Sequence, residues 1–165
     1  MIRQATLNDK NEVLAIYASA TSYIHSYGSP QWQNGTGPNN ETFLRDVSNN
    51  ALYVLIEENK IVAVTSIFNY EPTYDVIDGA WPTDGPYFAM HRIAKASNRK
   101  GKKDIEQFFS YIKNELNGVR IRIDTHHLNT NMKNLLLRNG FIYAGVISLN
   151  QEQDKERLAY QLDFN

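Results

Sequence analysis

The chain has no cysteine, so disulfides, thiolate metal sites and a cysteine nucleophile are all excluded. It has almost no net charge: 17 Lys and Arg against 18 Asp and Glu leave -1, too balanced for a general binder of polyanions. No apolar run approaches the ~20 residues of a membrane span. The start, Met1 to Thr6, has no apolar signal segment, so the expected location is the cytoplasm with no membrane partner. There is no internal repeat, low-complexity tract or interdomain linker. Nor is there a hydrolase elbow, kinase loop or intact Walker sequence.

What is present fits a single domain over residues 1–165. At 42% apolar and 21% charged residues the composition is that of an ordinary globular protein, long enough to bury a core. Ile2 to Ala5 reads as a short strand. Val13, Ile16, Tyr17, Ala20 and Ile24 form a helical stripe that Gly28-Ser29-Pro30 ends. After a loop from Gln31 to Asn40, Phe43, Leu44 and Val47 share one face of a second, short helix. Ala51–Ile56 and Ile61–Phe68 form a hairpin. Residues 69–86 make an irregular insertion rich in aromatics, Gly and Pro. In the last third, Val119 to Asp124 alternates as a half-buried strand and Asn131 to Arg138 is helical, ended by Asn139-Gly140. Phe141–Leu149 and Glu156–Phe164 form the final strand pair. The order β-α-α-β-β-β-α-β-α-β-β mixes hairpins with crossovers and predicts an α+β fold, one mixed sheet with helices packed on it.

The densest functional signal runs from Tyr87 to Leu116. A strand, Tyr87 to Ala94, feeds the cationic turn Ser97-Asn98-Arg99-Lys100-Gly101-Lys102-Lys103. Ile105, Phe108, Phe109, Ile112 and Leu116 then recur at helical spacing. A strand, a basic turn and a helix N-terminus together suit phosphate, because free N–H groups and the helix dipole converge there.

In that order and spacing, several pieces together resemble the GNAT superfamily of acetyl-CoA-dependent N-acetyltransferases. They are Gln31-Trp32, Pro72-Thr73-Tyr74, Gly79-Ala80-Trp81, Pro86-Tyr87, His91-Arg92-Ile93-Ala94, Ile121 to His126, Asn129, Met132 and Asn139-Gly140-Phe141. The resemblance spans the whole chain. It implies an acyl-CoA N-acyltransferase-like fold and acetyl-CoA as co-substrate. It also implies direct attack by a primary amine of a small molecule or peptide. Ile93 and Lys95 would offer backbone to the pantetheine arm, Arg99, Lys100, Gly101, Lys102 and Lys103 would take the pyrophosphate, and Asn129 would face the cofactor. The protein's own task would then be proximity, orientation and removal of a proton.

The loop departs from the family's R/Q-x-x-G-x-G/A. Aligned by the downstream helix, Lys100 comes first, Lys103 stands at the first glycine and Ile105 at the second. Asp104 and Gln107 have the spacing of a capping box with Asp104 as N-cap, which would occupy the amides a pyrophosphate needs. The family's proton-donating tyrosine position holds Leu136. Tyr143 is a substitute, or a strand tyrosine that only packs. His91 is a candidate base or a histidine satisfied within the sheet. Trp32, Tyr74 and Tyr87 are candidate walls of an acceptor pocket, with Asp75, Asp78 and Asp84 nearby. The 69–86 insertion is alternatively the surface of a homodimer. His126, His127 and Asp124 suggest a metal, but neighbours on an extended chain point apart, so no metal is expected. Nucleic acid is not an expected partner, since one short basic cluster neutralises few phosphates. The leading function is acetyl transfer. The rival is a non-catalytic domain of the same fold that senses a ligand or associates with a protein.

Overall fold

The computed structural model describes residues 1–150 and 154–165. Eight strands form one sheet in the order β1-β2-β3-β5-β6-β8-β7-β4. They are β1 Ile2–Gln4, β2 Leu52–Glu57, β3 Lys60–Phe68, β4 Asp78–Gly79, β5 Phe88–Lys95, β6 Arg120–Thr125, β7 Ile142–Ser148 and β8 Glu156–Asp163. The helices are α1 Lys10–Ser26, α2 Asn40–Ser48, α3 Asp104–Asn114 and α4 Thr130–Arg138. This is the α+β arrangement expected, with one strand added: β4, inside the 69–86 insertion, pairs with β7 through Asp78 and Gly79. No helix of the described residues is long and apolar enough to cross a membrane.

Strand alternation sorts the core into two layers. Leu52 and Val54 of β2 face α1 and α2, meeting Val13, Ile16, Tyr17 and Phe43. Tyr53 and Leu55 face the other way, onto Ile105, Phe108 and Ile112 of α3 and Leu136 of α4. Each fully buried side chain of this size contributes about 1.5–3 kcal/mol. The insertion lies on the sheet over a third cluster, where buried Tyr74 meets Ala89, Ile147 and Ala159. It buries a face of β6 that alternation alone assigns to solvent. Arg122 is clamped between the rings of Trp81 and Tyr87, at 4.1 and 4.3 Å from their centroids. Arg120 reaches Asp163 at 2.6 Å.

Two local features open the sheet. β5 and β6, the parallel pair, are matched only at Phe88–Ile121 and Ala89–Arg122, although both strands run on. On its other side β5 carries a bulge: Ser66 of β3 pairs with His91 and Val64 with Ala94, leaving one extra residue on β5. Within it Arg92 takes a left-handed φ of 52°. Bulges bend and over-twist a strand, and here the bend accompanies the divergence of β5 from β6 beyond Ala89. Thr65 Oγ1 donates to the His91 carbonyl at 3.1 Å across the irregular register.

Candidate active site

A cleft of about 640 Å³ occupies this opening. Its floor comes from Met90 to Ile93 of β5 and Asp124 and Thr125 of β6. Its walls include Trp32 and the 35–39 loop, α2, and Asn129 at the start of α4. The lining is mostly polar, and several charged groups converge at the floor.

At the centre stands His91. Its Nε2 lies 2.7 Å from Oε2 of Glu71, and its Nδ1 lies 3.8 Å from Oδ2 of Asp124. Glu71 is held on every side. Thr73 donates its N–H and hydroxyl to Oε1 at 3.1 and 3.0 Å, and the Glu71 N–H donates to the Tyr87 hydroxyl at 2.9 Å. Burial works to raise the Glu71 pKa, but His91 and Thr73 outweigh it and lower it to about 2. Glu71 is therefore an anion and an acceptor at neutral pH, and His91 Nε2 carries the shared proton. Asp124 takes a 2.6 Å hydrogen bond from the Tyr74 hydroxyl. Burial first, and then the charge of Asp124, push the Tyr74 phenol well above its usual range, so it stays a donor.

The expected residues divide. His91, Ile93, Asn129 and Trp32 all line the cleft. Asn129 is also the N-cap of α4, its Oδ1 accepting the Met132 N–H at 3.1 Å. Tyr74 does not wall the cleft; it is buried behind the floor and meets it through Asp124 and the His91 ring. Tyr87 supports Glu71 and stacks on Arg122. Tyr143 is half exposed on β7, edge-on to Tyr160, and does not line the cleft. Asp75, Asp78 and Asp84 also lie outside the lining, and Glu41, Glu71 and Asp124 supply its negative charge instead. Sequence reading missed Glu71 because nothing in its neighbours marks it; it lies 20 residues before the histidine it binds.

The basic loop needs one correction. Asp104 is not the N-cap of α3: Lys103 holds that position without a side-chain bond, and Asp104 is the first helical residue. Its buried carboxylate takes a fork from Arg99 at 2.7 and 2.9 Å, and Arg99 also meets Glu57 at 2.7 Å. The carboxylate is thus spent on an arginine, and the first-turn amides have no side-chain cap. Ile105 turns into the core beside Phe108. Lys100, Gly101, Lys102 and Lys103 are exposed. Lys95 spans the loop, its Nζ donating to the Lys102 carbonyl at 3.1 Å.

The histidine pair also departs from expectation. The rings of His126 and His127 do not point apart but stack, 4.4 Å between centroids, and Asp154 stands 2.6 Å from His126 Nε2. Ligand atoms of all three lie within 4.8 Å of one another. Yet His126 Nδ1 accepts the Leu128 N–H at 3.1 Å. A neutral ring accepting at Nδ1 keeps its proton on Nε2, facing Asp154.

No protein-family model matches the sequence, and no curated protein matches it. Solved structures do. A ribosomal-protein-alanine N-acetyltransferase from Brucella melitensis shares the fold at a TM-score of 0.69, with 18% identity over 99% of each chain. So does yncA of Salmonella typhimurium, solved with its cofactor acetyl-CoA, at a TM-score of 0.68 and 13% identity over 100% of this chain and 94% of that one. An acetyltransferase of the GNAT family from Streptococcus agalactiae is 30% identical over 100% of this chain and 95% of its own, with a TM-score of 0.91. With a forked parallel pair at the centre of its sheet and that degree of likeness end to end, this chain belongs to the GNAT family of acetyltransferases.

Proposed function

We propose that the chain moves an acetyl group from acetyl-CoA to a primary amine by direct attack. The observation that carries this reading is the fork: beyond Ala89 the edge of β5 is unpaired toward β6, and the cleft lies in the gap. Backbone of Ile93 and Lys95 would hold the pantetheine arm as an added strand is held. Uncapped amides at the start of α3, with Lys100, Lys102 and Lys103, would take the pyrophosphate. Asn129 would face the arm from α4. When bound, acetyl-CoA supplies the activated thioester; the chain supplies orientation and a base, His91. The likeness to a protein solved with acetyl-CoA supports the co-substrate.

The test is calorimetric titration with acetyl-CoA, followed by product analysis on a panel of primary amines. Binding at micromolar concentration together with an acetylated amine is the expected result. Binding without transfer to any amine would favour the rival, a ligand-sensing domain. Absence of binding would sink the reading.

A further inference from the structure

We propose that Asp124, His91 and Glu71 form the seat of the acceptor's ammonium group: Asp124 holds it, His91 Nδ1 takes its proton, and Glu71 positions the ring. The assignment rests on the acetyl-transfer reading and deepens it, selecting acceptors that arrive as cations.

The argument starts from a mismatch. Glu71 fixes the His91 proton on Nε2 at 2.7 Å, so the neutral ring turns a lone pair at Nδ1 toward Asp124. Oδ2 of Asp124 is also an acceptor, which takes the Tyr74 hydroxyl and keeps a second lone pair. The two acceptors stand 3.8 Å apart, too far to share a proton, and both line the cleft. Two facing acceptors repel, and a group with several N–H donors placed above both removes the repulsion. A primary ammonium is such a group. Tyr74 is a neutral donor and Tyr87 stands behind Glu71. Of the other charged groups lining the cleft, Arg92 and Arg45 both meet buried Asp46, Arg157 donates to the Asp154 and Glu156 carbonyls, and Glu41 adds a further negative charge.

The step balances. One ammonium proton passes to His91 Nδ1, and the imidazolium is held between Glu71 and Asp124. The freed lone pair of the amine forms the bond to the acetyl carbon. The carbon–sulfur bond breaks with its electron pair on sulfur, and the second proton of the nitrogen goes to that sulfur. His91 then releases its proton to water, so amide, thiol and one proton leave. Asp124 and His91 touch the acceptor; Glu71 acts only through the ring.

The experiment uses the full chain labelled with nitrogen-15. His91 ring resonances, assigned by loss in His91→Gln, are followed against pH and against added ethylammonium, and amine transfer is measured in parallel. Three results are expected. Neutral His91 carries its proton on Nε2, and ethylammonium moves its signals. Glu71→Gln removes the acceptor that fixes the Nε2 proton, so the Nδ1–H tautomer becomes populated and kcat falls about tenfold with KM for acetyl-CoA unchanged, while Glu71→Asp restores both. Asp124→Asn raises KM for the amine by about tenfold and leaves KM for acetyl-CoA unchanged. A proton on Nδ1 in the unaltered chain, or a tautomer and kcat unmoved by Glu71→Gln, overturns the seat, as does transfer without any ethylammonium response. If the ring behaves as described but no amine is acetylated, acetyl transfer fails and the seat stands as an ammonium site.

Discussion

Arg92 and Asp46 are joined across the bulge of β5: Nε and Nη2 of the arginine each lie 2.7 Å from Oδ2 of the buried aspartate on α2. Ser66 Oγ donates to the same oxygen at 2.6 Å. A non-glycine residue at φ 52° is strained, and this ion pair is what the surrounding fold offers to hold it there. The pair also ties the bent strand to α2, which walls the cleft. Among the described residues, neither the buried Tyr17 hydroxyl nor Asp46 Oδ1 has a partner at hydrogen-bond distance, Arg45 Nε standing 3.6 Å from the latter. Tyr17 feels both charges of the pair, and its own pKa is raised by burial.

The first prediction separates strain from charge. Arg92→Ala and Arg92→Gly both take the close cation from buried Asp46, leaving it the Ser66 hydroxyl and Arg45 at 3.6 Å, at a cost of about 3 kcal/mol. Only glycine relieves the left-handed backbone, so it should be the more stable variant by about 1 kcal/mol. Urea denaturation of the two decides it. Equal stabilities would mean that the backbone carries no strain at Arg92.

The second concerns acid. Glu71 has a folded pKa of about 2, below its ordinary 4.5. A depressed carboxylate contributes stability that is complete above the unfolded pKa and disappears as pH falls through the folded one. The window therefore runs from about 4.5 down to about 2. Linkage sets a ceiling of about 3 kcal/mol for such a shift, and solvent at a half-buried pair reduces it to about 1–2 kcal/mol. Glu71→Gln should flatten the acid limb of stability by that amount while barely changing stability at pH values below both pKa values. Denaturation midpoints across the acid range are the measurement.

The third concerns the altered loop. Ile105 is buried beside Phe108, so Ile105→Ala opens a core cavity and should cost about 2–4 kcal/mol without improving cofactor affinity. Lys103 is exposed at the uncapped start of α3, and Lys103→Gly removes a Cβ and a charge there. If the Cβ is the obstacle, acetyl-CoA binding tightens; if the charge compensates, it weakens. Calorimetry on the single variant separates the two, and thermal unfolding checks the isoleucine.

Most of the fold was legible because its signals are local. Val13, Ile16, Tyr17 and Ile24 mark the buried face of α1, and all four are buried. Leu158, Tyr160 and Leu162, two apart on β8, share the face that packs on the α3 and α4 core. What escaped depends on contacts distant in sequence. Arg120 and Arg122 alternate like solvent-facing residues, yet the insertion covers them because Trp81 and Tyr87 can stack on a guanidinium. Asp104 has the spacing of a cap, but Arg99 offers its carboxylate a stronger, bidentate partner than a backbone amide. Asp46 reads as the polar side of an amphipathic helix, yet it is buried against Arg92 and Ser66, partners distant in sequence. His91 was visible as a candidate. Its two carboxylates were not, since they come from a loop and a neighbouring strand.

The last prediction tests the added strand. β4 and β7 approach closely where Gly79 faces Gly145, both at positive φ, 135° and 150°. A Cβ on Gly145 would sit against the Asp78 carbonyl and 2.9 Å from Gly79 Cα, backbone atoms that cannot rotate away. Gly145→Ala therefore has to push β4 off the sheet edge. That breaks the Ala80 N–H bond to the Ala144 carbonyl, 3.0 Å long in the intact chain. The insertion is anchored there and at Trp81, whose Nε1 donates to the Tyr74 carbonyl at 2.9 Å. Glu71 and Tyr74 begin the same segment, so loosening the edge should reach the cleft floor through them. The expected result is faster hydrogen exchange at Ala80 and a loss of stability of about 2 kcal/mol or more, in the range for backbone-incompatible substitutions. Transfer activity should fall with the His91–Glu71 contact, seen as a shift in the His91 resonances. Exchange confined to residues 78–80, with His91 unmoved, would show instead that the strand and the site are independent.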